Sequence, residues 1–293
     1  MSATMAVSDD FQIKTIIRFE PDLLTAHGVQ EDVADRFKTM SDFYLLALHQ
    51  DEVMNVAKHF DWPTQLIERY SGDRGLQVWF AKLLLHVHED RNRDGPLQIL
   101  VSLAKDGNLN ISSSPAFMPG LLFPQELLVT KAGPTLNAFG NWYERVPIQV
   151  VVGDQAPLSS RSLRSSSARS SDFENASTFG ERLIVNQYGE IIEGQFTTPY
   201  FLQNEFWITP AFSGLVAESV TRRYALEQGL CKEGIILRSS LRQDDPCWLS
   251  DGVRGFFRGT IFLLPLTSHK IRSDSTATSQ TEIGEQSNGK QIR

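Results

Sequence analysis

Four short apolar runs, Arg182–Asn186, Ile191–Gly194, Thr198–Leu202 and Phe206–Thr209, follow one another with only turn-length gaps between them. Each is too short for a helix, and together they are rich in β-branched and aromatic residues, which predicts successive strands joined by tight turns. A sheet has to bury a face against another layer, so the chain must also supply helices. Leu215–Gly229 supplies one, an amphipathic segment closed by Gly229. Strand-like pieces continue from there to about Pro265, and Val146–Val152 (VPIQVVV) upstream has the pattern of a buried strand.

The first half repeats the mixture. Ile13–Phe19 (IKTIIRF) predicts a strand. Phe37–Phe60 carries apolar residues at helical spacing, and Trp62-Pro63 ends it because a residue before proline avoids the helical region. Gly75–Asp90 predicts a second amphipathic helix, with Val78, Phe80, Leu83, Leu84 and Val87 on its apolar side. Leu97–Ala104 and Asn108–Ser113 flank Asp106-Gly107, a hairpin signal. Helices against mixed sheets in both halves predict an α/β (α+β) fold in two lobes. The expected division is a smaller lobe over 1–120, a larger lobe over 121–267, and a polar Ser/Thr/Gln-rich tail over 268–293 predicted to be disordered.

Composition narrows the function. A net charge of −7 argues against a nucleic-acid binder. No apolar run approaches the length of a membrane span, and MSATMAVSDDFQ lacks the layout of a signal peptide. Cys231 and Cys247 make neither a disulfide framework nor a CxxC site, which fits a reduced, cytoplasmic setting. His86 and His88 stand two apart, a spacing that does not share a helix face, so no metal is expected. No G-x-S-x-G elbow is present.

The second half carries a series of short motifs in order: Ile192-Glu193-Gly194-Gln195-Phe196-Thr197-Thr198, then Thr209-Pro210, Ser213-Gly214-Leu215, Ser219-Val220-Thr221-Arg222, and Ser250-Asp251-Gly252-Val253-Arg254-Gly255. These resemble the E-G-S-x-x-N, T-P, G-V-T-R and N-S-V-R-G segments of class IV (fold-type IV) pyridoxal-phosphate enzymes, and most closely the fungal aminodeoxychorismate lyases. The resemblance covers roughly residues 12–265. It implies the two-lobed architecture with a cofactor cleft between lobes, a homodimer, and a reaction that converts 4-amino-4-deoxychorismate to 4-aminobenzoate and pyruvate, a step toward folate. Such an enzyme needs a lysine for the Schiff base, a carboxylate that keeps the pyridine nitrogen protonated, and a helix N-terminus with an arginine for the phosphate.

Carried over residue by residue, the resemblance places Glu193 at the pyridine-nitrogen carboxylate and Ser219, Val220 and Thr221 at the phosphate cup. Ser219 stands where the family has glycine. Thr198 falls where the family has Asn, Asp251 and Gly252 where it has Asn and Ser, and Arg222 and Arg254 join them as carboxylate-binding candidates. The lysine-bearing K-T-T-x-R-x-x-Y segment falls on Ser162–Phe173, with Phe173 at the tyrosine and Arg164 or Ser166 at the lysine. No lysine occurs between Lys131 and Lys232. A guanidinium stays protonated and cannot form the Schiff base. The family's phosphate arginine falls on Glu52, and no arginine occurs between Arg36 and Arg69. A carboxylate ~4 Å from a phosphate charge costs roughly 4 kcal/mol at an effective dielectric of 20. Pyridoxal phosphate is therefore the cofactor the resemblance implies, and conventional catalysis with it is not expected. Three functions stay open: a lyase-like enzyme, a non-catalytic binding or regulatory subunit of a lysine-bearing paralogue, and an enzyme redirected to another small carboxylate ligand.

Overall fold

The computed structural model describes residues 11–27, 42–90, 94–116, 119–127, 146–151, 181–211 and 218–263. The Ser162–Phe173 segment with Arg164, Ser166 and Phe173, the Ser213-Gly214-Leu215 turn, and the tail over 268–293 lie outside the described residues.

β1 (Gln12–Phe19), β2 (Leu97–Ala104) and β3 (Leu109–Pro115) form a three-stranded antiparallel sheet in that order. The two-fold alternation of β1 buries Ile13, Thr15 and Ile17 on one face. β2 is the central strand and is buried on both faces. Gly107 makes the β2–β3 turn at φ +86°, a conformation that costs a glycine nothing, and Asp106 Oδ1 accepts the Asn108 N–H at 2.8 Å. A short α1 (Leu23–Ala26) follows β1. Then α2 (Leu46–His59), α3 (Thr64–Tyr70) and α4 (Gly72–Glu89) precede the hairpin. On α4, Leu76, Trp79, Leu83 and Val87 recur at helical spacing and meet Ile17, Leu97, Ile99 and Leu103 in one core. Each large apolar side chain buried there contributes about 1.5–3 kcal/mol.

The helix predicted over Phe37–Phe60 begins later. Leu45 stands at φ +52°, and Phe43 and Tyr44 run beside the end of β1, with Phe43 bridged to Phe19 and the Tyr44 N–H on the Arg18 carbonyl at 2.9 Å. Extended pairing with β1 and helix geometry exclude each other, so the helix starts at Leu46. The segment after Pro63 forms α3, which its own pattern did not reveal.

The second sheet has eight strands, ordered β6-β5-β4-β11-β10-β7-β8-β9. They are β4 (Val146–Val151), β5 (Glu181–Val185), β6 (Ile191–Gly194), β7 (Thr198–Gln203), β8 (Phe206–Pro210), β9 (Lys232–Gly234), β10 (Pro246–Asp251) and β11 (Gly255–Phe262). β4 lies parallel to both neighbours and β9 parallel to β8; the remaining pairs are antiparallel. Past β9 the chain returns to the other edge: the Ile191 N–H reaches the Ile236 carbonyl at 2.8 Å, and the Arg238 N–H reaches Gly189 at 2.8 Å, so the β6 edge is not left as an open template. α5 (Val220–Glu227) packs on this sheet. It runs from Val220 after Ser219; Leu215, where the apolar pattern begins, lies outside the described residues.

A middle core joins the halves. Leu23, Tyr44, Leu45 and Leu48 pack with Leu122, Tyr200, Val220, Tyr224 and Phe256. The Tyr44 hydroxyl, fully buried, donates to the Leu122 carbonyl at 2.6 Å. Tyr44→Phe keeps the ring and leaves that carbonyl without its partner. Urea unfolding should show a loss of about 1–2 kcal/mol at unchanged m-value; a neutral result would mean that water replaces the hydroxyl.

Candidate functional site at the start of α5

Three pieces of chain converge where α5 begins. Register pairs Thr198 of β7 with Ser250 of β10. The β10–β11 turn brings Asp251–Arg254 beside them, and α2 presents His49 and Glu52 from the other half, one helical turn apart.

Ser219 is the residue before the helix, Val220 and Thr221 open it, and no side chain caps its first N–H groups. Behind them runs a ladder of hydroxyls. Ser250 donates to Thr221 Oγ1 at 2.8 Å. Its single proton thus committed, it receives the Tyr200 hydroxyl at 2.8 Å. Ser219 Oγ lies 3.0 Å from Thr221 Oγ1 at the outer end. Tyr200, Ser250 and Thr221 are fully buried, and burial pushes the Tyr200 phenol far above its ordinary range.

The charged candidates are engaged. Arg222 bonds Glu218, Glu233 and the Pro210 carbonyl, the last at 3.0 Å, so its guanidinium ties α5 to β8 and β9. Arg223 pairs with Asp51 at 3.1 Å and Glu227 at 3.5 Å. Asp251 Oδ1 accepts the N–H groups of Val253 and Arg254 at 2.9 and 2.7 Å, and Oδ2 holds Arg254 Nε at 2.6 Å. The Arg254 guanidinium lies over the Phe257 ring, 4.3 Å from its centroid. Glu193 sits on β6 opposite Ile184 with its side chain half-buried, on the strand that the Gln195–Thr197 turn joins to β7.

His49 and Glu52 of α2 were not singled out as a unit by their pattern; His49 is buried and Glu52 partly so. Thr15 Oγ1 lies 2.7 Å from His49 Nδ1, and the same hydroxyl bonds the Glu52 carboxyl. Burial pushes Glu52 up to about 8, against the pull of Thr15 and Arg223 and with help from Glu218. Burial holds His49 down to about 3. A hydrogen bond with the Gly252 backbone pulls the other way. Glu181, at the head of β5, is a second missed carboxyl. It accepts the Phe196 N–H at 3.0 Å and the Thr197 hydroxyl at 2.9 Å, and burial pushes it up to about 7. Only the pairing of β5 with β6 brings it to the Gln195–Thr197 turn, so no local signal announces it.

Elsewhere, His86 Nε2 lies 2.8 Å from Ser113 Oγ, which donates to Asp90, and the described residues hold no group of metal-ligating side chains. Cys231 and Cys247 are buried thiols; burial pushes Cys231 up to about 12, which makes it unreactive. No helix among the described residues is long and apolar enough to cross a membrane.

Residues 166–261 match the amino-transferase class IV family. Most of the chain is similar in fold to solved aminotransferase and lyase structures. One, named as an amino-acid aminotransferase from Mesorhizobium loti, has 15% identity, 86% of this chain and 100% of that one covered, and a TM-score of 0.56. Another, named as a 4-amino-4-deoxychorismate lyase from Legionella pneumophila, has 13% identity, 90% of each chain covered, and a TM-score of 0.55. A third, named as a branched-chain amino acid aminotransferase from Thermotoga maritima, has 16% identity, 86% and 76% covered, and a TM-score of 0.51. No curated protein matches the sequence. The expected mixed α/β fold of class IV is thus the fold observed.

Proposed function

We propose that this chain is an aminodeoxychorismate lyase-like member of class IV, nearest the fungal branch, whose cleft does not run lysine-dependent pyridoxal-phosphate chemistry. The class is typically built on that cofactor, and the residues present here do not fit it. The observation that carries the reading is the placing of the lysines. None lies between Lys131 and Lys232. Lys232 itself is exposed on the edge strand β9, with Nζ 3.4 Å from the centroid of the Phe206 ring. On β1, Lys14 points to the face opposite Thr15, away from His49 and Glu52. Lys58 is exposed on α2, and Lys82 on α4 and Lys105 after β2 are half-exposed. By the resemblance, Glu52 takes the position of the family's phosphate arginine, and it interacts with Arg223 and Glu218.

The test is to incubate the purified chain with pyridoxal phosphate, reduce with borohydride and measure the mass. No adduct at stoichiometric level is expected. A reduced adduct on one lysine, with an internal-aldimine absorbance band, would overturn the proposal and return lyase chemistry to the site.

A second reading, a non-catalytic subunit, draws support from one surface. Tyr188, Ile235 and Leu237 are 74%, 66% and 44% exposed on adjacent segments joined by the Glu190–Leu237 bridge. Clustered exposed apolar side chains favour a protein partner, a second copy or a lysine-bearing paralogue. Co-purification of such a paralogue, lost on Ile235→Asp, is the expected result under this reading.

A further inference from the structure

β3 is a strand edge without the usual protection. The Ala104 N–H donates to the Asn108 carbonyl and the Ala116 N–H to the Pro96 carbonyl, both at 2.9 Å, one at each end of the β2–β3 ladder. Hydrogen-bonded pairs alternate along an antiparallel ladder, so Asn110, Ser112 and Ser114 turn their backbone groups toward β2. Leu109, Ile111 and Ser113 turn theirs outward, and no hydrogen bond to those outward groups forms among the described residues. Asn110, Ser112 and Pro115 are exposed along the same strand. Natural edges are blunted by lysine, by a bulge or by a covering segment. β1, on the other side of the sheet, carries Lys14 and is covered at its end by Phe43 and Tyr44. β3 (LNISSSP) has no charged residue, and its register with β2 runs without a break.

We propose that β3 is an interface between copies of this chain, pairing antiparallel with β3 of a second copy about a two-fold axis at Ile111. The strand itself selects this occupant and this register. Centring on Ile111 sets Leu109 opposite Ser113 of the second copy and Ser113 opposite its Leu109, so the outward backbone groups on the two strands satisfy one another. Pro115, which has no N–H to give, falls opposite Gly107, past the paired stretch. Moving the axis to Ser112 would set Pro115 against Leu109, where a paired strand requires an N–H, and would part the two Ile111 side chains.

The side chains agree with the backbone. Ile111 is partly buried against the core under the helices, and in the pair it lies beside Ile111 of the second copy on that face. On the opposite face Asn110 meets Ser112 of the second copy. A charged strand paired with itself about a two-fold axis brings its like charges close together, which is destabilising. This strand carries none, although the chain as a whole stands at −7. The contact is small and its bonds are main-chain ones, which makes the pair reversible. The inference is independent of the cofactor reading above.

The experiment uses the full chain in sedimentation velocity over a series up to roughly 100 µM, a range that populates small reversible interfaces. Amide hydrogen exchange is read residue by residue alongside it. The wild type should show a monomer–dimer equilibrium. Its Ile111 and Ser113 amides should be protected in the dimer, and the Ser112 amide, bonded to β2, protected at every concentration. Asn110→Lys with Ser112→Lys sets lysine against lysine across the axis and should weaken dimerisation at least about tenfold. Asn110→Lys with Ser112→Asp sets lysine against aspartate and should restore it to within about threefold of wild type. Both substituted positions are exposed, and a protected amide at position 112 reports that the β2–β3 ladder is intact in each variant. A wild type that stays monomeric over the series, a dimer unmoved by the paired lysines, double variants that dimerise alike, or Ile111 and Ser113 amides that exchange freely in the dimer each overturns the inference. Protection of those two amides in a monomer overturns it as well, in favour of a segment of the same chain covering the edge.

Discussion

Alanine at Glu181 should lower the unfolding free energy by about 3 kcal/mol, whereas glutamine should cost under about 1 kcal/mol. The carboxyl is 5% exposed and accepts from Phe196, Thr197 and the Gln195 backbone, so it closes the turn between β6 and β7 from beneath. The turn leaves no room for adjustment. A Cβ on Gly194 would stand 2.5 Å from the Thr197 carbonyl oxygen and 3.1 Å from the Glu181 carboxyl carbon. Alanine at 181 strands buried donors; glutamine still offers an oxygen to the backbone and an amide to the threonine. The pH dependence separates the two further. Burial raises the folded-state carboxyl from 4.5 to about 7. The folded state thus binds more protons than the unfolded one between those values, and stability is greatest below 4.5 and falls as the pH rises toward 7. A shift of that size corresponds to roughly 3 kcal/mol. Glu181→Gln removes this loss, so relative to wild type it should gain stability between pH 5 and pH 8. Urea unfolding at both values checks it; a constant gap would mean that the carboxyl is already ionised when folded.

This carboxyl also marks how far the sequence could be read. The strands and hairpins were legible because side-chain alternation is a local property. Asp106-Gly107 gave the β2–β3 turn, and IIEGQFTTPYF followed by FWITP gave β6 to β8. The apolar pattern begins the helix at Leu215, outside the described residues, and among the described residues α5 runs from Val220. What was not legible depends on register and on contacts distant in sequence. Thr15 meets His49 across 34 positions, Glu181 meets Thr197 across 16, and Arg222 meets Glu233 across 11. Charge alone could not say that Arg222 and Arg254 would arrive already paired. The helix start at Leu46 was hidden for a related reason. Phe43 and Tyr44 fit a helical stripe equally well, and only the presence of the β1 edge draws them into extended pairing.

Arg222 supplies the second large effect, and it discriminates between structure and recognition. Arg222→Ala should cost about 3 kcal/mol and lower the melting temperature by roughly 5–10 °C. The guanidinium is 6% exposed, and its three partners come from different elements: Glu218 before α5, Pro210 at the end of β8, and Glu233 in β9. The half-exposed Glu233 contributes least, because solvent screens that pair. Most of the loss comes from the Pro210 carbonyl, left buried without a donor, and from Glu218, left at the helix start without its cation. Arg222→Lys should recover less than half of it, since one ammonium cannot span three acceptors in divergent directions. A residue that served mainly to hold a ligand carboxylate would behave in the opposite way. Its alanine variant would melt with the wild type and lose only ligand affinity. Differential scanning calorimetry of the free protein therefore decides the role before any ligand is identified, and a melting temperature within 1–2 °C of wild type, about the shift a surface substitution gives, would sink the clamp.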